Sequence, residues 1–199
     1  SAVVHLLIVA KRPVAGLAKT RLQPRFGPAG SAELAAAALA DTFEAARGCG
    51  ADRVVVSFEG DPTGIVPKGF EVFAQRHGSF ADRLAGAWED AGGPGLQIGM
   101  DTPQLTADDL DVAFGQLEAP GTDAVLGPAL DGGWWAIGLN GSVPGLFAGI
   151  PMSQSDTGQL QLARLRELGL TTSLLATHRD VDEPADVVAV ATQAPSTRF

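Results

Sequence analysis

Four cations, Lys11, Arg12, Lys19 and Arg21, fall within twelve residues of a chain whose formal net charge is -9. They flank Pro13 and Gly16 on a segment that directly follows the apolar run Val3 to Ala10, so they stand where a strand gives way to a loop. Ligands of open α/β sheets bind beyond the carboxyl ends of the strands, and positive charge gathered there suits an anionic, phosphorylated ligand. Lys11, Lys19 and Arg21 could neutralise a di- or triphosphate, with the guanidinium forking two oxygens at once. Gly16-x-x-Lys19-Thr20 does not complete a phosphate-cradling P-loop, because Pro13 and Ala18 occupy the positions that must be glycine. A solvated cationic loop is the plainer alternative; the shape that Pro13 and Gly16 impose tips the balance towards a site.

Further candidates lie downstream. Asp101-Thr102-Pro103 follows the apolar stretch Leu96 to Met100, and a carboxylate at a strand's carboxyl end can hold Mg²⁺ or Mn²⁺ beside substrate phosphates. A turn Asp bonded to its own backbone is the competing reading. Asp180-Val181-Asp182 precedes Pro184, so Asp182 could be a second metal ligand or simply an acid favoured near a helix N-terminus. In Gly127-Pro128-Ala129-Leu130-Asp131-Gly132-Gly133-Trp134-Trp135 the glycines permit close backbone approach and the indoles could wall a sugar or a base. One of two adjacent Trp on a strand must, however, face the core, and a purely structural turn competes. Gln75, Gly78 and Arg83 form a weaker group near a helix start, where Arg83 could reach a phosphate or pair with Asp82 or Glu89. His5, His77 and His178 show no metal-ligand spacing, and His5 reads as a core residue; no Gly-x-Ser-x-Gly elbow is present.

These residues need a scaffold, and the pattern predicts alternating strands and helices. Strands are expected at Val3 to Ala10, Arg53 to Phe58, Phe70 to Gln75, Leu96 to Met100, Asp123 to Leu126, Gly133 to Leu139 and Thr171 to Ala176. Helices are expected from a Ser31 cap to Arg47, from Ser79 to Ala91, from Thr106 with its capping-box partner Asp109 to Leu117, and from Ser153 or Ser155 to a Gly169 cap. A terminal helix should follow Pro184. Before Ser31, Pro24, Gly27, Pro28 and Gly30 are expected to keep the chain irregular. Strands alternating with helices mean a mostly parallel, doubly wound sheet.

The 199 residues suit one domain, 1–199, with an ordinary 45% hydrophobic and 19% charged composition. The acidic balance argues against nucleic acid as a partner. No apolar run is long enough to span a bilayer and none reads as a signal peptide, so a cytoplasmic protein is expected. The lone Cys49 cannot form an intramolecular disulfide. Composition leaves the oligomeric state open.

Taken in order, Lys11-Arg12-Pro13 with Gly16 and Lys19-Thr20-Arg21-Leu22, then Gln75, Gly78 and Arg83-Leu84, Gly99-x-Asp101-x-Pro103-x-Leu105, Gly127-Pro128-Ala129 with Asp131-Gly132-Gly133, and Asp180-Val181-Asp182 with Pro184 and Asp186 resemble a bacterial transferase family. It is the first of the radical-SAM/selenodomain-associated transferase families, often described as glycosyltransferase-like. The resemblance runs from the first strand to the last helix. It implies the three-layer, Rossmann-like nucleotide-diphospho-sugar transferase fold of the glycosyltransferase A type, shared with molybdenum-cofactor nucleotidyltransferases and with 2-phospholactate guanylyltransferase, which is similar in its opening loop. It further implies a nucleotide and a small-molecule acceptor as ligands. Lys11, Pro13, Gly16, Lys19, Thr20, Arg21, Gln75, Gly78 and Arg83 would bind the nucleotide; Lys19, Arg21 and Asp101 would act in catalysis. Asp101 and Asp182 would hold Mg²⁺ or Mn²⁺, and Asp131, Gly132, Gly133 and Trp134 would face the acceptor. Trp134 stands where the family usually has Tyr, and Met152-Ser153 where it has Trp-Ser, so the acceptor pocket is expected to differ. Nucleotidyl transfer is the leading expectation, with glycosyl transfer or a non-catalytic nucleotide-binding module as alternatives.

Overall fold

A computed structural model describes residues 3–13, 23–102 and 104–178. Gly16, Lys19, Thr20, Arg21 and Asp182, and the helix expected after Pro184, lie outside the described residues. The seven strands are β1 (His5–Lys11), β2 (Arg53–Glu59), β3 (Glu71–Ala74), β4 (Gly95–Ile98), β5 (Ala124–Pro128), β6 (Trp134–Leu139) and β7 (Thr172–Leu174). They form one sheet in the order β3-β2-β1-β4-β6-β5-β7. β1 pairs in parallel with β2 and β4, as do β2 with β3 and β5 with β7, whereas β6 runs antiparallel to both β4 and β5. This is an α/β fold with a mostly parallel mixed sheet.

The unbroken apolar run of β1 has its cause in this layering. Leu6, Leu7 and Ile8 are fully buried because both faces of the strand are covered. On one face Leu6 and Ile8 pack with Leu39 and Phe43 of α1 (Gln23–Gly48) and with Leu110 and Phe114 of α3 (Ala107–Glu118). On the other, Leu7 packs with Leu84 and Trp88 of α2 (Phe80–Ala91), and Leu165 of α4 (Thr157–Glu167) joins the same cluster.

α2 and α3 both start where the sequence predicts, the capping box itself being expected only at Thr106. Ser79 and Asp82 form a capping box at α2, and Thr106 and Asp109 form one at α3. α1 differs from expectation: it begins at Gln23, and a kink at Gly27 (φ 73°) lets a second helical piece start at Pro28, where the missing N–H costs nothing. Ser31 is therefore inside the helix, fully buried, and not a cap. α4 begins after Asp156 without a side-chain cap. Its entry is fixed instead by Thr157, whose hydroxyl donates to the Pro151 carbonyl at 2.6 Å and accepts from the Gln154 N–H at 3.2 Å.

The reversal of β6 matters for the site. Because Ile98 faces Ala136 and Gly95 faces Leu139, the first residue of β6, Trp134, stands at the sheet end where β1 and β4 finish.

Candidate functional site

At that end the carboxyl termini of β1 and β4, the start of β6, the first turn of α2 and the loop before α4 surround an open cavity of about 820 Å³. Lys11 and Pro13 line it from β1, Gln75 and Arg83 from around the start of α2, Asp101 from beyond β4, and Asp131, Gly133 and Trp134 from the β5–β6 turn. Candidates read separately along the sequence thus meet in one place. Gly78 and Gly132 are not among the lining residues.

Lys11 is exposed at the exit of β1. Arg12 is committed elsewhere, its guanidinium donating to the Asp61 carbonyl at 3.0 Å and the Thr63 carbonyl at 3.4 Å. Arg83 lies 3.7 Å from the Glu59 carboxylate and 5.2 Å above the Phe80 ring, and its Nε has no hydrogen-bond partner among the described residues. So long an ion pair between partly exposed groups contributes little, which leaves the guanidinium able to bind an anion. Glycine at position 78 serves this placement indirectly. With φ 116°, a Cβ there would come within 2.7 Å of the Asp82 carboxylate that closes the α2 capping box, one residue before Arg83.

Gln75 is held by its nitrogen, which donates to the Ala10 carbonyl at 2.9 Å and the Ser57 carbonyl at 3.2 Å. Both amide hydrogens are spent on the ends of β1 and β2, tying them together where the basic loop begins. Only the amide oxygen remains for a ligand.

Asp101 is half-buried and Asp131 exposed on the cavity wall. One Asp131 oxygen accepts from the Gly133 N–H at 2.9 Å, a turn-stabilising bond that leaves the other oxygen available. Among the described residues no three acidic, histidine or cysteine side chains gather closely enough to cage a metal. A single hard carboxylate opening on a ligand cavity nevertheless fits Mg²⁺ or Mn²⁺, which take one or two carboxylates and complete their shell with phosphate oxygens and water.

The two indoles part company as strand geometry requires. Trp135 is buried, donating from Nε1 to the Ala176 carbonyl at 2.8 Å. Trp134 is half-buried and stacked on Phe147, with centroids 6.3 Å apart and planes 26° apart. Gly132 joins the β5–β6 turn to the loop before α4. Its carbonyl accepts from the Gly158 N–H at 2.7 Å, its φ is 94°, and a Cβ there would overlap the Ser155 carbonyl oxygen.

Met152 and Ser153, where the resemblance implies a differing acceptor pocket, do line the cavity, from a loop in which Ser153 adopts φ 59°, uncommon for a residue with a side chain. Sequence reasoning missed Gln154 and Ser155 of the same loop, and one residue of the floor. Gln97, inside β4, forms part of the floor. The signal for Gln97 was present as one polar residue in the apolar strand Leu96-Gln97-Ile98.

Solved structures share this architecture. A Desulfovibrio desulfuricans G20 protein provisionally described as a nucleotide-diphospho-sugar transferase is 23% identical, with a TM-score of 0.86 over 98% of this chain and 89% of that one. CMP:2-keto-3-deoxy-manno-octonic acid synthetase, solved with CTP, is 14% identical, with a TM-score of 0.63 over 98% and 99% of the two chains. Rv0371c of Mycobacterium tuberculosis H37Rv, solved with manganese, is 17% identical, with a TM-score of 0.56 over 95% and 98%. At these identities the likeness shows the fold: it is that of nucleotidyltransferases and nucleotide-sugar transferases. The chain itself belongs to DUF2064, a family of uncharacterized proteins conserved in bacteria, whose pattern matches residues 32–154. No curated protein matches it by sequence. Among the described residues no helix is long and apolar enough to cross a membrane.

Proposed function

We propose that the protein is a Mg²⁺- or Mn²⁺-dependent transferase that moves a nucleotidyl group from a nucleoside triphosphate to a small acceptor. The observation that carries this reading is the meeting of Lys11, Arg83 and Asp101 around one cavity at the carboxyl ends of β1 and β4. Lys11 and Arg83 would neutralise phosphate oxygens, together with Lys19, Thr20 and Arg21 of the basic loop, whose roles rest on the family resemblance, as does that of Gly16 in shaping the loop. Asp101, with Asp182 as second carboxylate, would hold the metal, which would screen phosphate charge. In the reaction an acceptor oxygen bonds to the α-phosphorus, the bond from that phosphorus to the bridging oxygen breaks, and pyrophosphate leaves with the electron pair. The acceptor's proton passes to solvent. Catalysis would then consist of positioning and charge stabilisation. We further place the chain, as a single domain over 1–199 acting in the cytoplasm, with the radical-SAM/selenodomain-associated transferases, on the residues that carry that resemblance.

A second reading, glycosyl transfer from a nucleotide-sugar, is favoured by Trp134 and by the polar residues Ser153, Gln154 and Ser155 that line the same cavity. Labelled nucleotides separate the two: pyrophosphate release supports nucleotidyl transfer, and release of a nucleoside diphosphate from a nucleotide-sugar overturns it. In calorimetry, Asp101→Asn should abolish the strengthening of nucleotide binding by Mg²⁺ or Mn²⁺ while the thermal midpoint is kept. Undiminished metal dependence would remove Asp101 from its assigned role. Metal-dependent binding without turnover of any acceptor would favour a regulatory module.

A further inference from the structure

Gln97 is a polar side chain at 3% exposure in the middle of the sheet, and its surroundings decide which end of the amide is left over. The Trp88 indole N–H donates to Gln97 Oε1 at 2.7 Å. An indole can only donate, so the oxygen must face Trp88 and the nitrogen must face away from it. Gln97 lines the cavity, so this nitrogen is placed to donate to a water or a ligand oxygen there. The cavity floor therefore offers a fixed donor to a ligand oxygen.

The wall beside it has a matching character. Trp134 is immobilised by its stacking on Phe147 and lines the cavity with an apolar surface. Ser153, Gln154, Ser155 and Asp131 line the same cavity, and the Asp131 carboxylate keeps one oxygen beyond its turn bond. The charge on this wall is the Asp131 carboxylate, whereas Lys11 lies at the end of β1 and Arg83 in α2. An indole plane with polar side chains around it, next to a carboxylate, suits a molecule that has C–H faces and many hydroxyls and carries no negative charge of its own.

We propose that the space bounded by Gln97, Trp134, Asp131 and the Ser153–Ser155 loop binds an uncharged polyhydroxylated group, with the Gln97 amide donating to one of its oxygens. The group could belong to a free sugar or polyol acting as acceptor, or to the sugar of a nucleotide-sugar. The inference deepens the transferase reading by naming the chemistry of this part of the same site.

Ligand-detected NMR titrations of the full chain test it, using neutral hexoses, alditols and myo-inositol beside their monophosphates, and nucleotide-sugars beside the matching nucleoside diphosphates. Neutral compounds should bind in preference to their monophosphates, or nucleotide-sugars should bind more tightly than the diphosphates; the first result assigns the site to a free acceptor, the second to a donor sugar. Gln97→Glu keeps an acceptor for the Trp88 N–H but removes the donor, and should weaken that binding about tenfold, as expected for one lost hydrogen bond. Trp134→Ala, at a half-buried position, provides an independent variant and should also weaken it. If neither comparison shows a preference, or if both folded variants bind as the wild type does, the proposal fails. Nucleoside triphosphate affinity measured in parallel keeps the readings apart: its absence sinks nucleotidyl transfer, while the two sugar comparisons alone decide the present proposal.

Discussion

His5 lies beneath this floor and should make the fold acid-sensitive in a defined window. It is buried at 1% exposure in β1, its ring meets Trp88 edge-on at 5.2 Å, and its Nε2 lies 3.3 Å from the Gly93 carbonyl. A carbonyl can only accept, so Nε2 carries the hydrogen of the neutral ring, and Nδ1 is buried without a partner. Protonation would place a second N–H on Nδ1 with nothing to receive it. Burial accordingly pulls the His5 pKa from 6.5 down to about 4. Because the folded value lies below the unfolded one, the unfolded chain takes up the proton first. The contribution is full above about pH 6.5 and is lost as the pH falls towards 4. It amounts to about 2 kcal/mol lost by pH 5 and about 3 kcal/mol by pH 4. Urea unfolding followed by tryptophan fluorescence between pH 7.5 and 4.5 measures it, with His5→Phe as the reference, since a phenyl ring fills the same slot and cannot titrate. Carboxylates affect both proteins alike, so the wild type should lose about 2 kcal/mol more than the variant by pH 5. Equal losses would refute the assignment of this acid sensitivity to His5.

Two further substitutions test how the cavity is assembled. Gly132→Ala places a Cβ against the Ser155 carbonyl at a φ that disfavours side chains, and should cost about 2 kcal/mol or more; faster hydrogen exchange at the Gly158 amide would locate the damage, and an unchanged thermal midpoint would contradict it. Gln75→Ala removes the donor that the Ala10 and Ser57 carbonyls share in addition to their places in the β1–β2 ladder and should cost about 1 kcal/mol. It should also weaken nucleotide binding through the displaced β1 exit, so full stability together with lost affinity would mean that Gln75 acts by direct contact alone.

Much of this was legible in the sequence because the responsible forces are local. The two-sided burial of β1 shows in its unbroken apolar run, and the starts of α2 and α3 show in Ser79 with Asp82 and Thr106 with Asp109, since a capping box needs only residues three apart. The site candidates converged because the carboxyl ends of neighbouring parallel strands lie side by side. What was not legible depends on distant partners. An apolar strand carries no mark of its direction, so the reversal of β6, which brings Trp134 to the cavity, shows only in its pairing with β4 and β5. The start of α1 at Gln23 was obscured by Pro24, Gly27 and Pro28, residues that usually interrupt a helix and here frame a kink. The wall at Met152 to Ser155 depends on Gly132 and Thr157 holding the loop in place, a set of contacts that no local pattern announces.

The two glutamines of the cavity show why residue type alone understated the site. Gln75 and Gln97 carry the same amide, yet the protein uses opposite ends of it. Two carbonyls consume the nitrogen of Gln75 and leave an acceptor, while one indole consumes the oxygen of Gln97 and leaves a donor. Neither amide can flip without losing buried hydrogen bonds, each worth about 1 kcal/mol net and more when a group is left stranded. A ligand therefore meets a fixed polarity and does not have to select one of two rotamers, so binding energy is not spent on ordering these groups. The same reasoning makes Trp88 a positioning residue. Removing its N–H, as in Trp88→Phe, would free Gln97 to turn its oxygen towards the cavity, and binding at the floor should fall even though Trp88 touches no ligand.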